Sequence, residues 1–268
     1  ALSRVPSTPS SKIGTEEGSG RMDALRDKNV LITGAAGGIG RALAEVAIGA
    51  GANITLTDLD LAPLESYAGS ARARTAALNV ADEAAWKALP VPDNGWDFVA
   101  LNAGVMSAPP EASPEESDIL ALPPDRYRRI IDVNVDGIAF GMRSALPALN
   151  YGGAIVATAS AAGLVGYGLD PAYSMTKHAV VGLVRAIAAQ LEMKNSGRRV
   201  CAICPGGVQT AIVPTYARAV PMMEPRVIAE EIADLWIAGE NGEIRARIQA
   251  DVPAQRIEEP KLEGWGAG

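Results

Sequence analysis

A glycine-rich turn joins a short apolar run to a helical pattern near the start of the chain. Residues 29–33 read Asn-Val-Leu-Ile-Thr, which is typical of a buried strand, and residues 34–40 read Gly-Ala-Ala-Gly-Gly-Ile-Gly. Leu43, Val46 and Ala47 then recur at helical spacing. Glycines let a backbone approach a ligand closely, and the first turn of a helix offers free N–H groups to phosphates. This arrangement predicts the pyrophosphate-binding turn of a dinucleotide site.

The same strand–helix unit recurs along the chain. Strand patterns are predicted at residues 29–33, 52–57, 74–78, 95–101, 154–159, 199–205 and 243–248. Helical patterns are predicted at residues 81–89, 125–149, 171–193 and 225–238. Strands that alternate with helices form a parallel sheet that carries helices on both faces. At 268 residues, the chain suits a single doubly wound α/β domain over residues 22–268.

Composition and charge narrow the class of protein further. Hydrophobic residues make up 48% of the chain but aromatic residues only 4%, so the core must consist mainly of aliphatic side chains. The net charge of −7 and the pI near 4.9 argue against nucleic acid or an anionic membrane as a partner. No apolar run approaches the roughly 18 residues of a membrane-spanning helix. We expect a soluble protein in which residues 1–21 are a flexible leader or a tag remnant.

The cysteines and the single histidine are expected to be structural. Cys201 and Cys204 lie three apart in a strand pattern, so their side chains point to opposite faces and cannot easily form a disulfide. Free thiols are typical of a reducing, cytoplasmic setting. His178 directly follows Lys177 and points about 100° away from it around the helix. No metal site is predicted, because no partner ligands accompany the histidine.

The stretch from Ser160 to Lys177 carries the residues best suited to acid–base chemistry. Tyr173 and Lys177 lie one turn apart on a predicted helix that Pro171 starts. A phenol titrates at about pH 10 in water, and a neighbouring ammonium lowers its pKa toward the working range of a general base. Ser160 would hydrogen-bond the oxygen of an alcohol or a carbonyl. The alternative is that Tyr173 and Lys177 are an ordinary exposed pair on a helix.

Asp58 indicates which dinucleotide the chain binds. It ends the second strand pattern, at the position where an acidic residue hydrogen-bonds the adenosine ribose and repels a 2′-phosphate. The glycine turn contains neither Lys nor Arg to attract such a phosphate, and Arg41 lies just beyond it. NAD is therefore predicted in preference to NADP. The alternative is that Asp58 is a solvated turn residue or a helix cap.

Other segments are placed near the site by their position in the pattern. Asn134 lies inside an apolar helical pattern, where its amide is either a satisfied core group or part of the site. Asp170 is either at the substrate mouth or a turn residue before the helix. Residues 107–124 are predicted to form a surface insertion at the rim. Residues 211–224 are predicted to be a mobile lid over a largely apolar substrate, built from Ile212, Val213, Tyr216, Val220, Met222 and Met223.

Taken in order, these motifs resemble the short-chain dehydrogenase/reductase family over residues 29–248. The motifs that carry the resemblance are the glycine turn 33–40, Asn102-Ala103-Gly104, Asn134, Ser160, Tyr173-x-x-x-Lys177 and Pro205-Gly206. The resemblance implies a Rossmann-type fold and an NAD-dependent oxidoreductase that moves hydride between a largely apolar secondary alcohol or ketone and the nicotinamide. It also implies a homodimer or a homotetramer, formed through the helices near residues 125–149 and 171–193.

The resemblance implies a role for each site residue. Tyr173 would be the acid–base and Ser160 would orient the substrate oxygen. Lys177 would bind the nicotinamide ribose and lower the pKa of Tyr173. Asn134 would hold a water molecule in a proton relay. The cofactor would contact Gly34, Gly38, Ile39, Gly40, Asp58, Asn79, Val80, Asn102, Ala103, Gly104, Tyr173, Lys177, Pro205, Gly206, Val208 and Thr210.

Some positions depart from the family's pattern. Asn79 stands where the family often has Asp, and residues 157–159 read Ala-Thr-Ala where Asn, Ile and Ser are frequent. The last strand lacks the Asp-Gly-Gly ending of many tetrameric members. The stretch 204–212 is also similar to the 15-hydroxyprostaglandin dehydrogenase branch. Two alternative functions remain open on the sequence: an NADP-dependent carbonyl reductase, and a dinucleotide-binding scaffold or sensor without turnover.

Overall fold

The structure is a computed structural model that describes residues 21–219 and 221–261. The strands of this part of the chain are β1 (Asn29–Thr33), β2 (Asn53–Asp58), β3 (Ala73–Ala77), β4 (Trp96–Leu101), β5 (Leu149–Thr158), β6 (Arg199–Pro205), β7 (Ile244–Arg247) and β8 (Gln255–Arg256). Its α-helices are α1 (Gly38–Gly49), α2 (Glu83–Ala88), α3 (Pro124–Ile131), α4 (Gly137–Ala148), α5 (Pro171–Met193) and α6 (Pro225–Ala238).

The strands form one sheet in the order β3-β2-β1-β4-β5-β6-β7-β8. Neighbouring strands from β3 to β7 pair in parallel, and only the β7–β8 pair is antiparallel. The chain starts at β1, moves outward to β3 and then crosses to β4 on the other side of β1. Ligands bind such sheets at the carboxyl ends of the strands where this reversal occurs. The predicted doubly wound α/β fold is therefore confirmed, with one antiparallel edge strand added.

The core lies in two layers, one on each face of the sheet. One layer packs α1 and α6 against β-strand residues such as Ile32 and Val156. The other packs α2, α4 and α5 against residues such as Val99 and Ile155. Neighbouring strand residues alternate between the layers because the side-chain period of a strand is two. The sheet is thus buried on both faces, as parallel sheets are.

The strand β6 carries both cysteines, and they face opposite layers as predicted. Cys201 packs with the α1–α6 layer and Cys204 with the α4–α5 layer. Both thiols are free and fully buried. Burial is the main cause that raises the pKa of each thiol to about 12. Both are therefore unreactive core residues in the folded protein.

The predicted helix over residues 125–149 has a different structure. It consists of α3, a π-helical segment at Asp132–Asp136 and α4, and strand β5 begins already at Leu149. Such one-turn π segments often occur at functional sites. The segment holds Asn134, so the irregularity lies at a residue that the sequence had singled out.

Both ends of the chain extend beyond the described residues. The leader predicted at residues 1–21 lies outside them except for Arg21, whose guanidinium forms a salt bridge with Asp234 at 2.6 Å. Toward the other end, β8 pairs with β7 in a region that the sequence had predicted only as a polar tail. No helix in the described ranges is long and apolar enough to cross a membrane.

Candidate active site

The glycine turn lies at the carboxyl end of β1 and brings the backbone close to β4. Gly34 has φ of +64°, and a Cβ atom there would lie 2.8 Å from Cα of Ala103. A Cβ on Gly40 would lie 2.2 Å from the carbonyl oxygen of Gly34. Gly40 therefore supports the turn by letting α1 pack on it. The first turn of α1 presents its N–H groups at this edge of the sheet, which suits a pyrophosphate.

A hydrogen-bond network fixes the point where the sheet reverses. Thr33 Oγ1 accepts hydrogen bonds from the N–H groups of Asn102 at 3.0 Å and Ala103 at 3.2 Å. Asn102 Nδ2 donates to the Thr33 and Gly34 carbonyls at 3.2 and 3.3 Å. Thr158 Oγ1 donates to Asn102 Oδ1 at 3.1 Å. Thr158, one of the departures from the family pattern, thus connects the ends of β4 and β5.

Asp58 is tied to the same turn. Its Oδ2 accepts from the N–H of Ala36 at 2.9 Å, and its Oδ1 accepts from the N–H of Leu59 at 2.8 Å. The carboxylate stays partly exposed and lines the cleft above the glycine turn. Asp58 is not a helix cap, because both hydrogen bonds to its carboxylate come from N–H groups of turn residues. A carboxylate at this place suits a ribose diol and disfavours a 2′-phosphate.

One cleft collects nearly all of the predicted residues. It has a volume of about 460 Å³ and runs from Asp58 to Tyr173. The predicted residues that line it are Gly34, Gly38, Ile39, Asp58, Asn79, Val80, Asn102, Ala103, Gly104, Ser160, Tyr173, Lys177, Pro205, Gly206, Val208 and Thr210. Gly40 and Asn134 are outside this lining. Both support the cleft wall from behind, and their predicted roles stay predictions.

The sequence missed several residues of the cleft wall near Asp58 and Asn79. These are Leu59, Leu78, Arg129 and Val133. Arg129 and Val133 lie four apart along the helical segments that precede Gly137. A Cβ on Gly137 would lie 2.9 Å from the Val80 side chain, so this helix approaches the cleft closely. Arg129, Val133 and Gly137 are spaced four residues apart, and this spacing could have indicated that they share one face of a helix.

Ser160, Tyr173 and Lys177 meet at the other end of the cleft. Ser160 ends the loop after β5, and its Oγ accepts from the N–H of Ala162 at 3.1 Å. Lys177 Nζ donates to the carbonyl of Thr158 at 2.9 Å and lies 5.5 Å from the centroid of the Tyr173 ring. Lys177 is buried, so the reading of Tyr173 and Lys177 as an exposed helical pair is wrong.

Burial dominates the proton affinities of this pair. It raises the pKa of Tyr173 to about 12, against the lowering effect of a hydrogen bond with Ser160. Burial also lowers the pKa of Lys177 to about 8. The prediction that Lys177 brings the pKa of Tyr173 below its ordinary value is therefore wrong for the protein by itself. Tyr173 stays partly accessible, which leaves its phenol open to a ligand in the cleft.

The Asn134 side chain makes three hydrogen bonds within the protein. Its Oδ1 accepts from the N–H of Val105 at 2.8 Å, and its Nδ2 donates to the Val105 carbonyl at 2.8 Å and to Thr176 Oγ1 at 3.1 Å. Val105 follows the Asn-Ala-Gly motif, and Thr176 lies on α5 beside Lys177. The amide therefore holds the cleft wall against the catalytic helix. Its part in a proton relay stays a prediction.

The predicted lid, residues 211–224, is only partly a cover for the cleft. Ile212 and Val213 line the cleft, as expected of a lid. Met223 instead lies in the α1–α6 core layer at 3% exposure and pairs with Val208 in a parallel bridge. Its predicted contact with substrate is wrong, because these backbone bonds anchor that end of the segment. Val220 lies outside the described residues.

The predicted lid is hydrogen-bonded to the predicted insertion at residues 107–124. Thr215 donates hydrogen bonds from its N–H and its hydroxyl to the carbonyl of Pro110, at 2.8 and 3.1 Å. Nearby on the chain, the hydroxyl of Tyr216 is buried without a partner in the structure. The two segments that flank the catalytic end of the cleft are thus joined to each other.

His178 has the structural position that was predicted. It lies on the exposed side of α5, and its Nδ1 is 2.9 Å from the carbonyl oxygen of Ser174, one turn earlier. Among residues 21–219 and 221–261, no group of three His, Cys, Asp or Glu side chains has the geometry to hold a metal ion.

The fold and the cleft define an α/β protein with a dinucleotide site next to an acid–base pair. A family model described as short chain dehydrogenase matches residues 28–220. The chain belongs to the short-chain dehydrogenase family. It is thus an oxidoreductase of CH–OH groups that binds a nicotinamide cofactor and acts on small-molecule alcohols or ketones.

Named relatives cover most of the chain. A 2,5-dichloro-2,5-cyclohexadiene-1,4-diol dehydrogenase of Sphingobium indicum is 33% identical over 201 residues, which are 72% of this chain and 77% of that protein. A cyclohexanol dehydrogenase of an Acinetobacter strain is 33% identical over 208 residues, covering 73% and 78%. The solved structure of a 3-oxoacyl-[acyl-carrier protein] reductase with bound NAD from Brucella melitensis has a TM-score of 0.71 at 27% identity, covering 91% and 96%. The similarity to the prostaglandin branch stays a prediction.

Proposed function

We propose that the protein is an NAD-dependent dehydrogenase of cyclic secondary alcohols, with Tyr173 as its acid–base. The observation that carries the proposal is the single cleft that joins Asp58 at one end to Ser160, Tyr173 and Lys177 at the other. The relatives named for cyclohexanol and for a cyclohexadienediol favour a six-membered ring as substrate. The apolar side chains of Ile212 and Val213, which also line the cleft, suit such a ring.

The cleft fits a dinucleotide by its shape and by its donors. A side chain at Gly38 would lie 3.1 Å from Cγ2 of Thr210, so the passage past the glycine turn stays open only without one. The N–H groups at the start of α1 would bind the pyrophosphate, and Asp58 would bind the adenosine ribose. Lys177 would reach the nicotinamide ribose. When bound, oxidised NAD supplies the hydride acceptor and a positive charge near the phenol.

The side chains at the catalytic end of the cleft would bind the substrate oxygen and transfer the proton. Ser160 donates a hydrogen bond to the substrate oxygen and holds it beside the Tyr173 hydroxyl. In oxidation, Tyr173 would release its own proton to solvent once the oxidised cofactor is bound, and the phenolate would then take the alcohol proton; in reduction, the phenol would give its proton to the substrate oxygen. The positive charge of the bound cofactor would offset the burial that raises the pKa of Tyr173. A positioned acid–base of this kind contributes about 10²- to 10⁴-fold to the rate.

The test is NAD reduction with cyclohexanol and related ring alcohols, for the wild type and for Tyr173→Phe. We expect Tyr173→Phe to lower kcat/KM at least 100-fold, an amount of the order of one acid–base contribution. Tyr151→Phe is the matched control, because Tyr151 is 86% exposed, and it should keep full activity. NAD should raise the melting temperature of all three proteins, since binding is separate from proton transfer.

Two results would contradict this proposal. Equal activity in the wild type and Tyr173→Phe would remove Tyr173 from the mechanism. NAD binding without oxidation of any ring or open-chain alcohol would favour the scaffold or sensor instead.

We also propose that the protein is a homo-oligomer, a dimer or a tetramer. The family resemblance is the basis of this expectation, and exposed Tyr127 on α3 and Met175 on α5 support it as apolar contact residues. Sedimentation equilibrium measures the mass directly. A monomer at micromolar concentration would contradict the proposal.

A further inference from the structure

Asp170 directly precedes the helix that carries the acid–base and is completely buried, with 0% exposure. Its Oδ1 accepts the N–H of Tyr173 at 2.9 Å, which caps α5. Its Oδ2 accepts the N–H of Ser107 at 3.0 Å. Ser107 follows Met106, which lines the cleft. One carboxylate therefore joins the first turn of the catalytic helix to the loop that forms the cleft wall.

This carboxylate has no cation beside it. In the described part of the chain, no Lys or Arg forms a salt bridge with Asp170. A helix cap needs no such burial: Asp82 caps α2 through the N–H of Ala84 at 2.8 Å and is exposed. Removing a carboxylate from water without a paired cation costs free energy, even where N–H groups donate hydrogen bonds to it. The burial of Asp170 therefore calls for a role beyond capping.

The charge balance around the Tyr173 phenol indicates what that role is. Burial, Asp170, the Tyr167 phenol and the Cys204 thiol all raise the pKa of Tyr173, while the hydrogen bond with Ser160 lowers it. Lys177 is the cation near its ring, 5.5 Å from the centroid. Asp170 is thus the carboxylate whose charge disfavours ionisation of the phenol.

We propose that Asp170 is a positioning residue for Tyr173. Its carboxylate fixes the first turn of α5 against the loop at Ser107 and places a buried negative charge at the start of the helix that carries the phenol. The inference rests on the proposed acid–base role of Tyr173. Asp170 would thus have two effects that a simple helix cap does not combine. It would fix the position of the first turn of α5, and it would change the charge balance around Tyr173.

The test follows the phenol itself in NAD-bound protein labelled with ¹³Cζ-tyrosine, with the Tyr173 signal assigned by Tyr173→Phe. We expect Asp170→Asn and Asp170→Ser to lower the titration midpoint of this signal by about one pH unit, the lower range for the loss of a nearby like charge. Ser keeps a capping oxygen for α5, so the test does not depend on one substitution being tolerated. Asp82→Asn, the matched cap variant, should leave the midpoint unchanged.

The kinetic counterpart is the pH profile of kcat/KM for alcohol oxidation. It should move to lower pH in both Asp170 variants, in parallel with the NMR midpoint, and stay in place in Asp82→Asn. Asp170→Glu keeps the charge and should keep the wild-type midpoint. If both neutral variants melt at lower temperature but titrate like the wild type, Asp170 is only a cap and the inference is overturned. A shifted NMR midpoint without oxidation of any alcohol would support the inference while contradicting the proposed function.

Discussion

Tyr173 and Lys177 make opposite contributions to stability as pH changes. Burial lowers the pKa of Lys177 from 10.5 to about 8, so the unfolded chain binds this proton more tightly between these values. The corresponding stability is present above pH 10.5 and is lost as pH falls to about 8. The pKa of Tyr173 rises from 10.0 to about 12, so its contribution is present below pH 10.0 and is lost as pH rises toward 12.

Lys177→Met should therefore change the pH dependence of unfolding. Without cofactor, we expect the free energy of unfolding of the wild type to gain of the order of 3 kcal/mol relative to the variant between pH 8 and pH 10.5. Denaturant titrations across this range measure the difference. Lys194→Met, at an exposed residue just after α5, should give a curve parallel to the wild type. Parallel curves for Lys177→Met would mean that Lys177 is not desolvated in solution.

We expect a single residue, Asp58, to set the preference between NAD and NADP. Asp58→Asn keeps an oxygen for the N–H of Ala36 and removes the charge, so it isolates electrostatics from turn geometry. We expect the ratio of the Kd values for NADP and NAD to fall at least tenfold, which corresponds to about 1.4 kcal/mol. Titrations that follow tryptophan fluorescence give both constants. Asp60→Asn, at a neighbouring exposed residue of the cleft, should leave the ratio nearly unchanged. Tighter binding of NADP than NAD by the wild type would favour the carbonyl reductase alternative.

At the scale of elements, two of the three glycines in α1 are in opposite situations. A Cβ on Gly40 would overlap the Gly34 carbonyl at 2.2 Å, whereas a Cβ on Gly49 meets nothing within 4 Å. Gly49→Ala should stabilise the protein by about 0.5–1 kcal/mol, because alanine favours the helix. Gly40→Ala should destabilise it by about 1–3 kcal/mol and weaken NAD binding, because α1 must move off the turn. Thermal melts and NAD titrations compare the two, and equal effects would contradict the close packing at Gly40.

Sequence patterns predicted best the elements whose apolar residues recur at a regular spacing and whose boundary is marked by Pro or Gly. The start of α5 at Pro171 and the glycine turn before α1 are of this kind. The π segment at Asp132–Asp136 was missed because one extra residue per turn barely disturbs a helical pattern. The turn role of Asp170 was one of its two predicted alternatives, but its contact with Ser107 and that of Thr158 with Asn102 were missed for another reason. Their partners Ser107 and Asn102 are distant in sequence, so no local pattern reports these contacts.

At the scale of the whole molecule, the edge strand β8 was missed because two polar residues carry no strand pattern. Gln255 and Arg256 are exposed, and their pairing with β7 is accompanied by Ile257, which packs on the α4–α5 layer. Arg256 also forms a salt bridge with Glu258 at 3.5 Å. Tertiary contacts rather than local preference thus create this strand. The parallel pairing of the other strands followed from the strand–helix alternation, since parallel neighbours need crossovers.

Because of where the two cysteines lie, their labelling can report whether the protein unfolds as one cooperative unit. Because Cys201 and Cys204 face opposite layers of the same strand, a thiol reagent can label each only after a different helix layer separates from the sheet. We expect equal labelling rates, resolved by peptide mass, because Trp236 of one layer bonds the Val99 carbonyl of the sheet and both layers share every central strand. Faster labelling of Cys204 would mean that the layer carrying Tyr173 opens by itself, and that residues 22–268 are not one folding unit.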